Sequence, residues 1–231
     1  MLRFVTALLA VVLVTAGCTS DESGQAADLP GAAGLLDTAA QTAAEITSTH
    51  FVVDVNGEVP GMAVENIDGD LTTEGNGVAA KGIAVITAFG SAAEANFVLA
   101  DDVLYLDTGG GTYREIPAAQ ASMVYDFSAV LDPERGIAKL IGNLAEATTV
   151  AEEDVNGTAT YKITGTATKD DIAGLVPGAS SDVDVTLWVS KDEGNQPVKA
   201  EAVFPGGGGE GGTVTVTLSQ VNEPVTVEPP Q

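Results

Sequence analysis

The sequence predicts an α+β fold in which one large antiparallel β-sheet curves around helices that pack in its concave face. About eleven segments alternate between apolar and polar residues, as strands with one buried face do, and a flat open sheet rarely holds that many. Few segments have helical periodicity. Hydrophobic residues make up 45% of the chain but aromatic residues only 5%, so small side chains must form most of the interior.

The N-terminal 17 residues have the features of a secretory signal peptide. Arg3 supplies the positive charge, and residues 4–14 form a short apolar core. Cys18, the only cysteine, follows small residues as in a bacterial lipobox, in which the thiol is acylated. Residues 18–30 are polar and predict an acylated tether that holds the protein on the outer face of the cell membrane. The alternative is an ordinary signal peptide with an incidental cysteine.

Charge and residue content exclude several functions. The chain has 9 basic and 33 acidic residues and a net charge of −24, so we expect no nucleic-acid partner. His50 is the only histidine, which leaves no donor set for a zinc site or for Cys–His catalysis. Residues 66–70 lack the last glutamate of a calcium loop, and the glycine-rich residues 206–211 precede a strand rather than a helix. We expect no enzyme, no metal and no cofactor.

The first element is a helix over residues 31–48, because apolar side chains recur there at helical spacing. Strands are predicted at 50–59 and 64–73. The segment 82–106 then predicts strands that turn near Gly90 and at Asp101 and Asp102. On its first two strands, alternation places these residues on the inner face: Ala84, Ile86, Ala88, Ala93, Ala95, Phe97 and Leu99. Such small side chains cannot fill the space above a sheet, so either helix side chains or a ligand must fill it.

The second half of the chain repeats the pattern. After a strand at 112–116, the apolar segment 123–131 predicts either a lid or the entry to a helix. Asp132 predicts the N-cap of that helix, whose apolar face includes Ile137, Leu140, Ile141 and Leu144.

Beyond this helix the sequence predicts strands again. Residues 147–155 and 158–166 flank Asn156 and Gly157, a strong hairpin signal. A short helix over 168–176 follows, beginning with a capping box. The remaining strands are predicted at 183–189, 198–204 and 213–218. We expect one domain over 31–225 and a C-terminal tail over 226–231.

Six short segments resemble the LprG/LppX family of mycobacterial cell-envelope lipoproteins, with the LprG branch closest. They occur in the family's order between Cys18 and the C-terminus: VNGEVPG (55–61), GDLTT (69–73), VLDP (130–133), KITG (162–165), TLWV (186–189) and TLS (217–219).

The resemblance implies a half-barrel similar to the LolA and LolB carriers. Its cavity would hold the acyl chains of triacylated glycolipids or triacylglycerol, and the LprG branch is linked to a membrane efflux transporter. The cavity would be lined by the inner rows of the 82–106 segment together with Val130, Ile137, Leu140, Leu144, Val185 and Leu187.

The function predicted from the sequence is therefore lipid transport to the outer envelope. The alternative is an envelope module that binds another protein, with a packed core and no lipid ligand. The two differ in whether the interior is empty or filled by side chains.

Overall fold

A computed structural model describes residues 29–75, 77–88, 91–122, 125–206 and 211–230. The predicted signal peptide and Cys18 lie outside the described residues, as do most of the tether, Gly90 at the first turn and the centre of the glycine-rich loop.

The described chain forms eleven strands and five helical segments. They are α1 (Ala32–Ala44), β1 (Ser48–Gly57), β2 (Val64–Thr72), β3 (Ala79–Ala88), β4 (Ser91–Ala100), β5 (Val103–Asp107), β6 (Arg114–Pro117), α2 (Ala118–Ala121), α3 (Phe127–Val130), α4 (Ile137–Gly142), β7 (Ala145–Val155), β8 (Thr158–Ala167), α5 (Lys169–Ile172), β9 (Val183–Ser190), β10 (Pro197–Phe204) and β11 (Gly212–Ser219).

All strands belong to one antiparallel sheet in the order β6-β5-β4-β3-β2-β1-β11-β10-β9-β8-β7. Within each half of the sheet, β1 to β6 and β7 to β11, strands that are consecutive in sequence lie side by side. The two halves meet where β1 pairs with β11, with Phe51 opposite Leu218. The predicted large antiparallel sheet with few helices is confirmed.

The turns follow the local sequence. Asn156 (φ 53°) and Gly157 (φ 87°) both adopt the left-handed conformation that a two-residue hairpin requires, as the sequence predicts. Asp101 and Asp102 also have positive φ angles, of 50° and 61°.

The predicted helix from Asp132 is shorter than expected. The carboxylate of Asp132 caps a turn instead, accepting a hydrogen bond from the backbone N–H of Glu134 at 2.8 Å. Gly136 is then the residue before α4, and a Cβ there would lie 2.1 Å from the carbonyl oxygen of Val130. The helix-cap prediction is therefore wrong, because the aspartate side chain stabilises a competing turn.

Residues 127–130 of the apolar segment upstream of that turn form α3. Asp126 is its N-cap and accepts a hydrogen bond from the backbone N–H of Ser128 at 3.0 Å.

The C-terminal residues remain attached to the sheet. The hydroxyl of Ser48 donates to the carbonyl of Glu223 at 2.7 Å, and the ammonium of Lys81 donates to the carbonyl of Thr226 at 2.8 Å. Residues on both sides of the predicted boundary between 225 and 226 therefore contact the sheet.

Candidate functional site

An apolar cavity of about 440 Å³ lies between the sheet and the helices. Its walls include residues of eight adjacent strands, from β5 to β9 in the sheet order. With neighbouring strands roughly 4.8 Å apart, a flat sheet would separate those two strands by about 34 Å. The sheet must therefore curve for all eight strands to border one cavity.

Helices close the other side of the cavity. Phe127 and Val130 of α3, Ile137, Leu140 and Ile141 of α4, and Ile172 of α5 line it. Behind them, the buried residues Leu36 and Ala39 of α1 belong to the same hydrophobic core as Ile141. The short helices thus present apolar side chains to the sheet across an unfilled space.

The lining includes four residues with polar side chains, and three of those side chains are satisfied by the protein. Thr49 donates to the backbone carbonyl of Ser219 at 3.0 Å, and Thr87 donates to the carboxylate of Glu65 at 2.7 Å. The ammonium of Lys199 lies 4.4 Å from the ring centre of Trp188, on the opposite face of the sheet. The fourth is Tyr125, and within the described part of the chain its hydroxyl makes no hydrogen bond.

Three aromatic rings meet at this end of the cavity. Phe97 of β4 stacks on Phe127 with ring centres 5.7 Å apart, and Tyr125 meets Phe127 edge-on at 4.9 Å. Burial, and secondarily the neighbouring charge of Asp126, raises the pKa of Tyr125 to about 12. The phenol therefore remains protonated at neutral pH.

A polar pocket of about 420 Å³ lies against other residues of the same helical segments. Asp126, Arg135, Lys139 and Asp170 border it, and Pro177 borders both this pocket and the apolar cavity. The helical layer is therefore apolar towards the sheet and polar elsewhere.

Ion pairs fix the polar groups of this pocket. Arg135 pairs with Asp126 at 3.1 Å and with Asp132 at 3.0 Å. Burial would raise the pKa of Asp126, but hydrogen bonds from Ser128 and Arg135 outweigh it and lower the pKa. Arg135 thus has two carboxylate partners in or beside this pocket.

A second carboxylate joins α4 to α5. Asp171 accepts hydrogen bonds from the amide of Asn143 at 2.7 Å and from the hydroxyl of Thr168, and Lys139 lies 3.6 Å away. Burial alone would raise its pKa, but these contacts together lower it.

Comparison with known proteins decides the family. The model of the LppX_LprAFG lipoprotein family matches residues 31–227. The chain belongs to the LppX_LprAFG lipoprotein family. The resemblance to LprG/LppX lipoproteins predicted from six short segments is confirmed.

The LppX_LprAFG relatives match along nearly their whole length. The lipoarabinomannan carrier protein LprG of Mycolicibacterium hassiacum is 37% identical over 228 residues, which cover 97% of this chain and 95% of that protein. The protein of the same name from Mycobacterium tuberculosis is 32% identical over 220 residues, covering 94% and 89%.

Two solved structures share the fold. LprF from Mycobacterium bovis superposes with a TM-score of 0.75 at 25% identity, covering 86% of this chain and 96% of that one. LppX from Mycobacterium tuberculosis superposes with a TM-score of 0.65 at 23% identity, covering 85% and 98%.

The structure of this LppX_LprAFG member brings most of the predicted lining residues together. Those at the apolar cavity are Ala84, Ile86, Ala95, Phe97, Val130, Ile137, Leu140, Leu144, Val185 and Leu187. The side chain of Ala88 and all of Cys18 lie outside what the structure describes.

Two predicted residues do not line the cavity. Ala93 is half-buried and pairs with Ile86 towards the β3–β4 turn, whereas Leu99 is buried in the core at the other end of β4, opposite Ala80. Both share a strand face with Ala95, but the cavity covers only the middle of that face. Alternation predicts the face of a strand and not the length over which it borders a space.

Sequence reasoning missed lining residues in the connections. Tyr125 precedes α3, Met62 lies between β1 and β2, and Leu175 follows α5. For Tyr125 the signal was the loose apolar segment around residues 123–131, and Leu175 lies in the helix predicted over 168–176, whereas Met62 had no signal.

The described residues hold neither a metal-binding cluster nor a membrane-spanning helix. They contain no group of three or more histidine, cysteine or acidic residues that could hold a metal ion. Their helices also include none that is long and apolar enough to cross a membrane.

Proposed function

We propose that this protein is a lipid carrier of the cell envelope that holds acyl chains in the cavity between sheet and helices. The observation that carries this proposal is the lining itself: aliphatic and aromatic side chains of the sheet and of α3, α4 and α5 surround about 440 Å³ that no side chain of the described chain fills. Acyl chains match such a lining in both polarity and shape.

Energetics support an occupied cavity. Cavities left by mutation cost about 24 cal/mol per Å³, which for a space of this size amounts to roughly 10 kcal/mol. That is as large as the whole stability of a typical domain. Water relieves little of this cost, because the lining offers it almost no free polar partners.

The proposed cargo is a triacylated glycolipid or triacylglycerol. The support is the family membership together with the name of the LprG relatives, lipoarabinomannan carrier protein. We also propose that acylated Cys18 tethers the carrier to the outer face of the membrane and that the lipid passes to or from a membrane efflux transporter.

Native mass spectrometry tests the proposal. The chain without residues 1–18 is purified, its mass is measured before and after incubation with mycobacterial membrane lipids, and bound lipid is extracted and identified. Co-purified or acquired acyl lipid is the expected result. A lipid-free mass after incubation would instead favour the alternative, a protein-binding module of the envelope.

A further inference from the structure

We propose that Tyr125 binds the ester carbonyl of the cargo, so that the cavity selects ester-linked acyl lipids over chains that lack this carbonyl. This inference rests on the proposed lipid-carrier function and adds the chemical linkage that the carrier recognises. The observation behind it is that Tyr125 lines the cavity and that, among the described residues, its hydroxyl alone of the polar lining groups makes no contact with a polar or aromatic partner.

The ring of Tyr125 is held in place on several sides. Its edge-on contact with Phe127 at 4.9 Å and the stacking of Phe127 on Phe97 connect it to the sheet. Its backbone N–H donates to the carbonyl of Ala121 at 3.0 Å. A side chain fixed in this way presents its hydroxyl to a ligand with little further loss of conformational freedom.

Tyr125 also lies at the boundary between apolar and polar surroundings. Its own side chain lines the apolar cavity, whereas Asp126, the next residue, and Ser122 border the polar pocket. In an acyl lipid, the ester groups occupy the same position between the hydrocarbon chains and the polar remainder of the molecule. The position of Tyr125 between the apolar cavity and the polar pocket therefore matches that of an ester when the chains fill the cavity.

The chemistry of the group fits an acceptor ligand. Because burial holds the phenol in its protonated form, it is a hydrogen-bond donor at any physiological pH. A carbonyl oxygen projects from the chain and accepts such a bond, an ether oxygen lies between two alkyl chains where a fixed donor reaches it less easily, and a hydrocarbon accepts none. A cargo of the last two kinds would therefore gain less from this hydroxyl than an ester does.

Competition between two probes tests the assignment in the full chain. Vesicles of phosphatidylcholine carry equal amounts of trioleoylglycerol and its trialkyl ether analogue, and the bound lipids are quantified by mass spectrometry after extraction. We expect the wild-type protein to prefer the ester about 3- to 10-fold, as one buried hydrogen bond implies. Tyr125→Phe, which keeps the ring contacts, should bind both lipids equally.

A matched control is available in the sheet. Tyr105 of β5 is half-buried and does not line the cavity, so Tyr105→Phe should keep the wild-type preference. Equal binding of the two lipids by the wild-type protein overturns the inference without any variant, and so does a preference that survives in Tyr125→Phe. Failure of the wild-type protein to bind either lipid would instead overturn the proposed carrier function.

Discussion

At the scale of single residues, two alanines give the cavity part of its space. Ala84 and Ala95 are register partners on β3 and β4, both are buried, and both line the cavity. Larger side chains at this pair would extend directly into the space that we assign to acyl chains. The next residue, Ile83, is 43% exposed on the other face of the same strand.

Ala84→Trp should therefore fold but lose lipid capacity. In a packed core the added ring would cost about 1–3 kcal/mol, whereas here it can occupy the existing space, so we expect the thermal midpoint of the lipid-free form to change little. Extraction and mass spectrometry of bound lipid measure the loss, and Ala95→Trp should act in the same way. Ile83→Trp is the matched control and should load normally. An Ala84→Trp variant that unfolds would favour a packed interior.

The carboxylate of Asp171 provides a prediction of pH dependence. Its pKa is lowered in the folded state, so its stabilisation is complete above the pKa of the unfolded chain and is lost as the pH falls through the folded-state value. Asp171→Asn should lower the free energy of unfolding at pH 6 by about 1–3 kcal/mol. The difference from wild type should shrink as the pH falls below about 4, the usual pKa of an aspartate, through the lowered folded-state pKa of Asp171.

Urea unfolding of both proteins at a series of pH values measures this difference. Asp170→Asn is the control, because the neighbouring side chain is exposed and its loss should change little at any pH. A difference between wild type and Asp171→Asn that stays constant down to pH 2 would contradict the assigned network.

At the scale of elements, two glycines allow β2 and β3 to approach closely. Gly69 and Gly82 are register partners, and the ring of Phe97 lies 3.3 Å from the position that a Cβ on Gly69 would occupy. A Cβ on Gly82 would lie 2.2 Å from the carbonyl oxygen of Asp68 and 2.7 Å from the Cα of Gly69. Backbone atoms on both strands fill this space, so no flexible side chain can move away.

Gly82→Ala should destabilise the sheet by about 1–3 kcal/mol, because the strands must separate to admit the methyl group. Thermal or urea unfolding measures the change. Gly34→Ala is the contrasting variant: Gly34 lies in α1 with open space around it, so alanine should stabilise the helix by about 0.5–1 kcal/mol. Destabilisation of the same size by both substitutions would show that the close approach of β2 and β3 is not the cause.

The elements also show how far sequence reasoning extends. The strands were predictable because alternation is a direct consequence of pleating, as in residues 213–218, which lie within β11. The start of α4 was not predictable in this way, because Asp132 can cap either a helix or a turn. The close contact of Gly136 with Val130 decides between them. Register shifts such as the one between Pro197 and Lys199 have no local signal either.

At the scale of the whole molecule, the cavity depends on contacts that periodicity does not contain. The sequence indicates which residues of β3 and β4 face inward, but the extent of the space is set by where α3, α4 and α5 lie across the sheet. Tyr125 illustrates the limit, because it precedes a four-residue helix and its ring packs on Phe127, which in turn stacks on Phe97 of the sheet. The residues that form the walls of the cavity were therefore partly predictable, whereas the boundary between the apolar cavity and its polar surroundings was not.

Attachment of the whole protein to the membrane should depend on Cys18. Cleavage before this residue would remove Arg3 and leave 8 basic and 33 acidic residues, a net charge of 8 − 33 = −25, so an anionic membrane surface would repel the domain. Acyl chains on the cysteine are then the remaining means of stable anchoring.

Cys18→Ala should abolish labelling by a palmitate analogue and move the protein from the membrane fraction to the soluble fraction. The cavity is built from residues beyond 48, so the released protein should still acquire lipid from vesicles. Thr19→Ala is the control that keeps the thiol and should remain on the membrane. If Cys18→Ala remains there too, the apolar residues 4–14 must act as an uncleaved anchor.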